Sequence, residues 1–367
     1  MSATLLAVTV ALLGDVNVAG SVYLNQPTLF QQGPEVEAIT GQTVRGLNAE
    51  TSLKLIADID EQTTVQVKVC YGCHGLVADM AYVDYAVHDA LVIRAGRFPV
   101  PFGAFYLRYD PANHKTASKP LPYMMGRMLR RVPFNLGIVP EPYPDNGVQI
   151  GGQIPVSEAE FKYALYAVAG LKGNANVGDL DFIQSRNEYF ADNNRTPAVG
   201  ARASLTFFRT GIFKALEMGL SAMWGHYDER GELYYAMAGA DVYARIGKVN
   251  IRGELLGRRT EIPNAPTRYK QRLIDLWVQR EAFYLTVEGP LIGRTLEWVL
   301  RWDGLRRAGP VPVALDLPDD DSSILRYTGG LVYSPSRSLG FKLNYELWDF
   351  DDFQDEHLLH TGIVGQF

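Results

Sequence analysis

The chain has 367 residues, 47% of them hydrophobic, and a formal net charge of −6. A mildly acidic balance of this kind leaves no electrostatic footprint for nucleic acid. The one long apolar stretch, 5–14, is too short to cross a bilayer as a helix, so no transmembrane helix is expected. It has the length of a signal-peptide core but lacks a basic flank. Residues 1–14 are therefore expected to be a signal remnant or an apolar N-terminus ahead of a single domain over 15–367.

From residue 15 onward apolar and polar residues alternate with period two, the pattern of a strand with unlike faces. Strands are expected near 15–25, 46–59, 64–70, 76–87, 91–98, 146–155, 161–170, 199–209, 217–227, 233–246, 249–260, 272–288, 294–304, 324–334, 339–349 and 357–367. In the third, Val65, Val67 and Val69 oppose Gln66 and Lys68. In the eleventh, Val249, Ile251 and Leu255 oppose Asn250, Arg252 and Glu254. In the thirteenth, Leu296, Trp298, Leu300 and Trp302 oppose Glu297, Arg301 and Asp303. In the fifteenth, Phe341, Leu343, Tyr345 and Leu347 oppose Lys342, Asn344 and Glu346. Each strand thus has an apolar, aromatic face and a polar, charged one.

A soluble sandwich also alternates, so the connections decide. Short turns at 60–63, 88–90, 156–160, 247–248 and 335–338 separate longer polar segments at 26–45, 99–145, 171–198, 260–271, 305–323 and 350–356. Short turns at one rim and long loops at the other, with an even strand number, are the outer-membrane arrangement. The expected fold is all-β: a transmembrane antiparallel β-barrel of about 16 strands, with short periplasmic turns and long extracellular loops, in the Gram-negative outer membrane. The tail "HTGIVGQF" places Thr361, Ile363, Gly365 and Phe367 on one face. It resembles the last strand of bacterial outer-membrane barrels, whose aromatic end is read by the barrel-assembly machinery.

At "AYVDYAV…LVIRAGRFPVPFG", 81–103, a tyrosine-rich strand and a tight turn lead into Gly-Arg-Phe-x-x-Pro-Phe-Gly before a long segment. This resembles Gram-negative porins, in particular the phosphate-selective porin O/P family. The likeness covers about 46–170 with some specificity. It implies passive diffusion of small hydrophilic solutes through a water-filled lumen, and leaves the solute open. No enzymatic motif is evident. A homotrimer is the expected assembly, with lipid and lipopolysaccharide as surroundings.

The segment 99–145 is longer than compact folds usually leave without a role. It is expected to fold into the lumen. Its basic residues Arg108, Lys115, Lys119, Arg127, Arg130 and Arg131 outnumber Asp110, Glu141 and Asp145. A cation at a low-dielectric constriction attracts anions. Inward-facing Lys68, Arg94, Arg202, Arg245, Arg252 and Arg301 would extend that track. The alternative is that the loop arginines pair with the loop carboxylates and merely pin the segment to the wall. Acidic clusters at 228–232, 316–321 and 349–357 suit divalent cations that bridge lipopolysaccharide, or are simply solvated.

Both cysteines stand in "VCYGCHG", 69–75. Cys70, Cys73 and His74 form the C-x-x-C-H pattern of covalent haem attachment. Two thioethers would fix the porphyrin edge and His74 would ligate the iron. His114, Met124, Met125 and Met128 are candidates for the distal position. The equal alternative is a Cys70–Cys73 disulfide at a hairpin tip, which an oxidising periplasm favours; a third reading, disfavoured in an exported protein, leaves both as free thiols. A haem-bearing barrel passing electrons across the outer membrane is therefore the rival function. No metal site beyond such an iron is expected. His357 and His360 are three apart on a strand and face opposite sides.

Overall fold

The computed structural model describes residues 15–31, 47–72, 75–123, 137–140, 143–173, 180, 192–262, 277–293, 295–309, 321–351 and 354–367. Sixteen strands follow in chain order: β1 (Asp15–Gln31), β2 (Asn48–Asp58), β3 (Thr63–Gly72), β4 (Gly75–His88), β5 (Leu91–Pro99), β6 (Pro144–Val156), β7 (Ala159–Val168), β8 (Ala198–Thr210), β9 (Phe213–His226), β10 (Tyr234–Ile246), β11 (Val249–Glu261), β12 (Trp277–Ile292), β13 (Leu296–Ala308), β14 (Asp321–Tyr333), β15 (Leu339–Phe350) and β16 (Glu356–Gln366). Each is antiparallel to its chain neighbours, and β1 pairs with β16 to close the barrel. The expected fold class is the one found. The margins differ at the long-loop rim. β1 runs six residues beyond the expected 25, and β13 four beyond the expected 304, because pairing continues past the alternating stretch.

The burial pattern is the reverse of a soluble sheet. On β15 the apolar Leu343 and Tyr345 are each 45% exposed, whereas Asn344 and Glu346 between them are fully buried. The same inversion leaves Leu220, Leu255 and Leu300 more than half exposed on other strands. Water would penalise such a belt by about 25 cal/mol for every Å² of apolar surface. A belt of this extent marks a membrane surface.

One irregularity re-aims a functional side chain. Lys68 on β3 pairs with Met80 on β4, but the next residue, Val69, pairs with Ala78. Asp79 is the extra residue of a β-bulge, and both it and Met80 turn inward and are buried. At the short-turn rim, Asp60 closes the β2–β3 connection by accepting from the amides of Gln62 and Thr63, each at 2.8 Å.

The interior has two halves. Toward the long loops, the inward residues Met223, Met237, Leu256, Leu305, Ile324 and Trp348 are apolar. They form one cluster with Phe102, Phe105, Leu121, Tyr123 and Ile138 of the segment after β5. That half is a packed core inside the barrel. Toward the short turns the inward residues are polar and more open.

The β1–β16 ladder that closes the barrel ends on a contact between Gly20 and Phe367. The Phe367 amide donates to Gly20 O at 3.1 Å, and Gly20 N donates to Phe367 O at 3.2 Å. A Cβ at Gly20 would lie 2.6 Å from the Phe367 ring and 2.8 Å from Ser52 O. Gly20→Leu is therefore expected to destabilise the barrel by about 1–3 kcal/mol, the range for overpacking. The check is a lower temperature for conversion of the folded, fast-migrating gel band to the unfolded one.

Candidate functional site: the segment across the lumen

Three short 3-10 turns, Phe105–Leu107, Pro111–Asn113 and Leu121–Tyr123, give the segment after β5 its shape. Gly103 starts it at φ +72, where any Cβ would collide with Tyr123 and Glu254. From there the segment is tied to strands on several sides of the wall. Gly103 N donates to Ser221 Oγ at 3.1 Å, and Ala104 N to Glu254 Oε2 at 2.9 Å. The Glu254 carboxylate also accepts from the hydroxyls of Tyr123 and Tyr284, the latter at 2.6 Å. Tyr109 donates to Asp79, the bulge carboxylate. Ala117 N meets Asn344 Oδ1 at 2.6 Å, and Tyr23 Oη reaches Ala117 O at 3.1 Å. Leu121 N donates to Asp303 Oδ2 at 3.0 Å. Arg258 Nη1 caps Ile138 O at 2.9 Å.

Most of the wall cations expected to line an open track are instead engaged. Lys68 is buried and lies 3.1 Å from Asp79 and 2.6 Å from Asp110. Arg301 is also buried. Its guanidinium donates to Thr116 Oγ1, Ser118 O and Ser118 Oγ at 2.7–2.8 Å and lies 3.1 Å from Asp303. Arg202 chelates Asp241. These three correct the expectation of free pore-lining charge. A charge beneath a packed segment persists only when paired, because desolvating it alone costs several kcal/mol. Arg94 grips Asp84 through two bonds of 2.7 and 2.8 Å and stacks over Tyr82, yet stays 22% exposed. Arg252 pairs with Glu288 and stacks on Tyr243. Arg245 lies exposed at the short-turn rim.

On the segment itself, Lys115 pairs with Glu297, and Arg108 lies 3.9 Å from Glu288. Lys119 approaches the Tyr109 ring while its carbonyl accepts from Arg326 at 2.6 Å. Arg127, Arg130, Arg131, Met124, Met125 and Met128 lie outside the described residues, as do Cys73 and His74. Gly72 pairs with Gly75 across the tip of that hairpin. Cys70 is a free thiol that donates to Asp79 Oδ2 at 3.6 Å. His114 packs on Phe105 and beneath Lys342, which donates to its carbonyl at 2.6 Å. No described contact brings His114 to Cys70. Among the described residues no group of three or more His, Cys, Asp or Glu is placed to hold a metal. Asp228, in an acidic cluster expected either to bind divalent cations or to be solvated, is a buried turn cap that accepts from the amides of Arg230, Glu232 and Leu233. His357 bonds Tyr345 on the outer face and His360 lies buried beside Glu346, so the two do face opposite sides.

The anchors missed from sequence are acids and one lysine: Asp79, Glu254, Asp303, Glu346 and Lys342. Glu254, Asp303, Glu346 and Lys342 fall on the polar face of their strands, which was legible. That they would receive a loop's amides was not. Lys342 donates to the carbonyls of Pro111, His114 and Thr116. Arg326 is held between Asp303 and Glu346.

No protein-family model matches this sequence, and no characterised protein matches it either. Solved structures match in fold. OmpF of Salmonella typhi in complex with daunomycin gives a TM-score of 0.60 at 9% identity, over 97% of this chain and 98% of its own. The anion-selective porin of Comamonas acidovorans gives 0.58 at 13% identity, over 96% and 99%. OmpT of Vibrio cholerae, folded in vitro and in trimer form, gives 0.57 at 8% identity, over 96% and 99%.

Removing the Glu254 carboxylate should leave three donors without an acceptor. Glu254→Ala is expected to cost about 1–3 kcal/mol for each donor left dry and to make single-channel currents noisier. Thermal unfolding and bilayer recordings check the two effects. A second outcome concerns pH. Burial, with Lys342, Lys119 and Arg301 nearby, holds the His114 imidazole well below its ordinary value of 6.5. The undocked segment takes up a proton that the docked one refuses. Docking is therefore strongest above that value and weakens as pH falls below it, by up to about 1.4 kcal/mol per pH unit. Current noise should rise between pH 6.5 and 5 in the native channel and stay flat in His114→Gln.

The closed sixteen-stranded sheet, its lipid-facing apolar belt and the solved neighbours agree: the chain has the fold of a porin-type β-barrel, and its place is the Gram-negative outer membrane.

Proposed function

We propose that the chain is a passive diffusion channel for small hydrophilic solutes, with a preference for anions set where the segment after β5 crosses the lumen. The carrying observation is partial exposure of inward charge at that level. Arg94, Arg108 and Lys115 keep 21–25% of their side chains open to water. Within 100–123 three cations, Arg108, Lys115 and Lys119, face one carboxylate, Asp110. A fixed cation at a narrow, low-dielectric passage draws anions in and excludes cations. The trimer of the Vibrio neighbour supports a homotrimeric assembly for this chain as well.

The test is the reversal potential across a potassium chloride gradient. Arg108→Glu with Lys115→Glu should lower the anion-to-cation permeability ratio by about threefold or more. An unchanged ratio in a folded, conducting variant would remove the anion preference from this segment.

A further inference from the structure

The geometry points to a solute route along the inner face of β2, past Glu50, Ser52 and Lys54, with Lys54 setting its charge preference. It rests on the diffusion-channel reading and adds a path to it.

Among the described residues β2 is the only strand with no buried residue. At the level of the crossing segment other walls are covered: Tyr23, Asp79, Met223, Leu305 and Trp348 are all at or below 5% exposed. The contacts of the segment explain the difference. On one side of β2 it holds β1 through Tyr23 and β15 through Lys342. On the other it holds β3 through Lys68 and β4 through Asp79. β2 lies between β1 and β3, so the segment bridges it, and no hydrogen bond joins the two among the described residues.

The charges on β2 agree with a wet lane. Lys54 pairs across the sheet with Lys68, whose ammonium reaches the segment, so Lys54 also faces inward. Its neighbours Leu53 and Leu55 face lipid at 46% and 40% exposure. Glu50 shares the Lys54 face. Neither makes an ion pair or hydrogen bond to a described residue, unlike Lys68, Arg94, Arg202, Arg252 and Arg301. An unpaired ammonium and an unpaired carboxylate on an inner wall are stable only in water. At about 3.3 Å per residue they stand roughly 13 Å apart, with Ser52 between them. A solute would meet the carboxylate, the hydroxyl and then the ammonium. Lys68, Asp110 and Arg94 are the charges nearest in effect to Lys54. Lys68 is shared between Asp79 and Asp110, and Arg94 is paired with Asp84, so Lys54 has no ion-pair partner of its own among the described residues. Cys70, opposite Ser52 in register, is partly exposed and borders the same lane.

The experiment is thiol accessibility in a Cys70→Ser, Cys73→Ser background. Ser52→Cys and Lys54→Cys are compared with Ser204→Cys, a buried inward position on β8. Folded protein in planar bilayers is treated with a cationic methanethiosulfonate, and adduct formation is read by intact mass. Reaction at 52 and 54 should cut single-channel conductance by about half or more, while Ser204→Cys keeps its current. Lys54→Glu should turn the reversal potential toward cations. Failure of 52 and 54 to react, or reaction without loss of current in a conducting barrel, overturns the β2 route and leaves the diffusion channel standing. A folded barrel that passes no current before the reagent is added overturns the channel reading itself, and the route with it.

Discussion

Lipid offers no hydrogen-bond partner, and this constraint orders the whole molecule. Every backbone amide between the rims must find its acceptor within the sheet, so the sheet has to close. The β1–β16 ladder, from Ser21 opposite Gln366 to Gln31 opposite His357, is where it does so, and the Gly20–Phe367 bonds extend it. Closure with chain-neighbour antiparallel pairing then fixes which connections share a rim. It also fixes that alternate residues face hydrocarbon. The apolar face of each strand is directed outward by its solvent, and the polar face is left to an interior that must satisfy it.

How that interior is satisfied explains the segment after β5. Lumen-facing strands present carboxylates and guanidinium groups at alternate positions, and a chain crossing the lumen presents amides, carbonyls and hydroxyls. Each supplies what the other lacks. Glu254 and Asp303 accept backbone amides from the segment, while Arg301, Arg326 and Lys342 donate to its carbonyls. Arg301, Arg326, Asp303, Glu346 and His360 lie together on three adjacent strands and β16. Breaking one member of such a buried set costs about 3–5 kcal/mol, because the charge left behind has neither water nor partner. The network therefore acts as specification. It holds the segment in one place more than it adds to net stability.

The strands were legible because period-two alternation between a lipid face and a polar face is strong and repeats. Their edges were less so, since pairing at the long-loop rim continues into residues that need not alternate. The inward Trp348 and Phe350 show this. They sit on the polar face of β15, where the pattern turns from filling a wet lumen to packing a core. Lys68, Arg202 and Arg301 were visible as inward cations, but sequence order does not say which carboxylate stands on the next strand. Asp241 lies 39 residues from Arg202, and Asp79 faces Lys68 only through a bulge that no residue type announces. Glu50 and Lys54 have the same composition and periodicity as their paired counterparts. What distinguishes them is that, among the described residues, none hydrogen-bonds or ion-pairs with their side chains.

That last point joins anchoring to permeation. The lumen is wide enough for the segment to touch wall residues on most sides, and each contact excludes water there. The route left for a solute is then whatever the contacts do not cover. Holding β1 and β15 through Tyr23 and Lys342, and β3 and β4 through Lys68 and Asp79, makes the segment span β2 as a bridge spans a channel. Charges beneath the bridgeheads are neutralised by their partners, and charges beneath the span have no partner among the described residues. Selectivity in such a barrel follows from the charges that stay open to water, on the segment and on the wall it does not reach, which is why counting all its basic side chains overstates the field a solute meets.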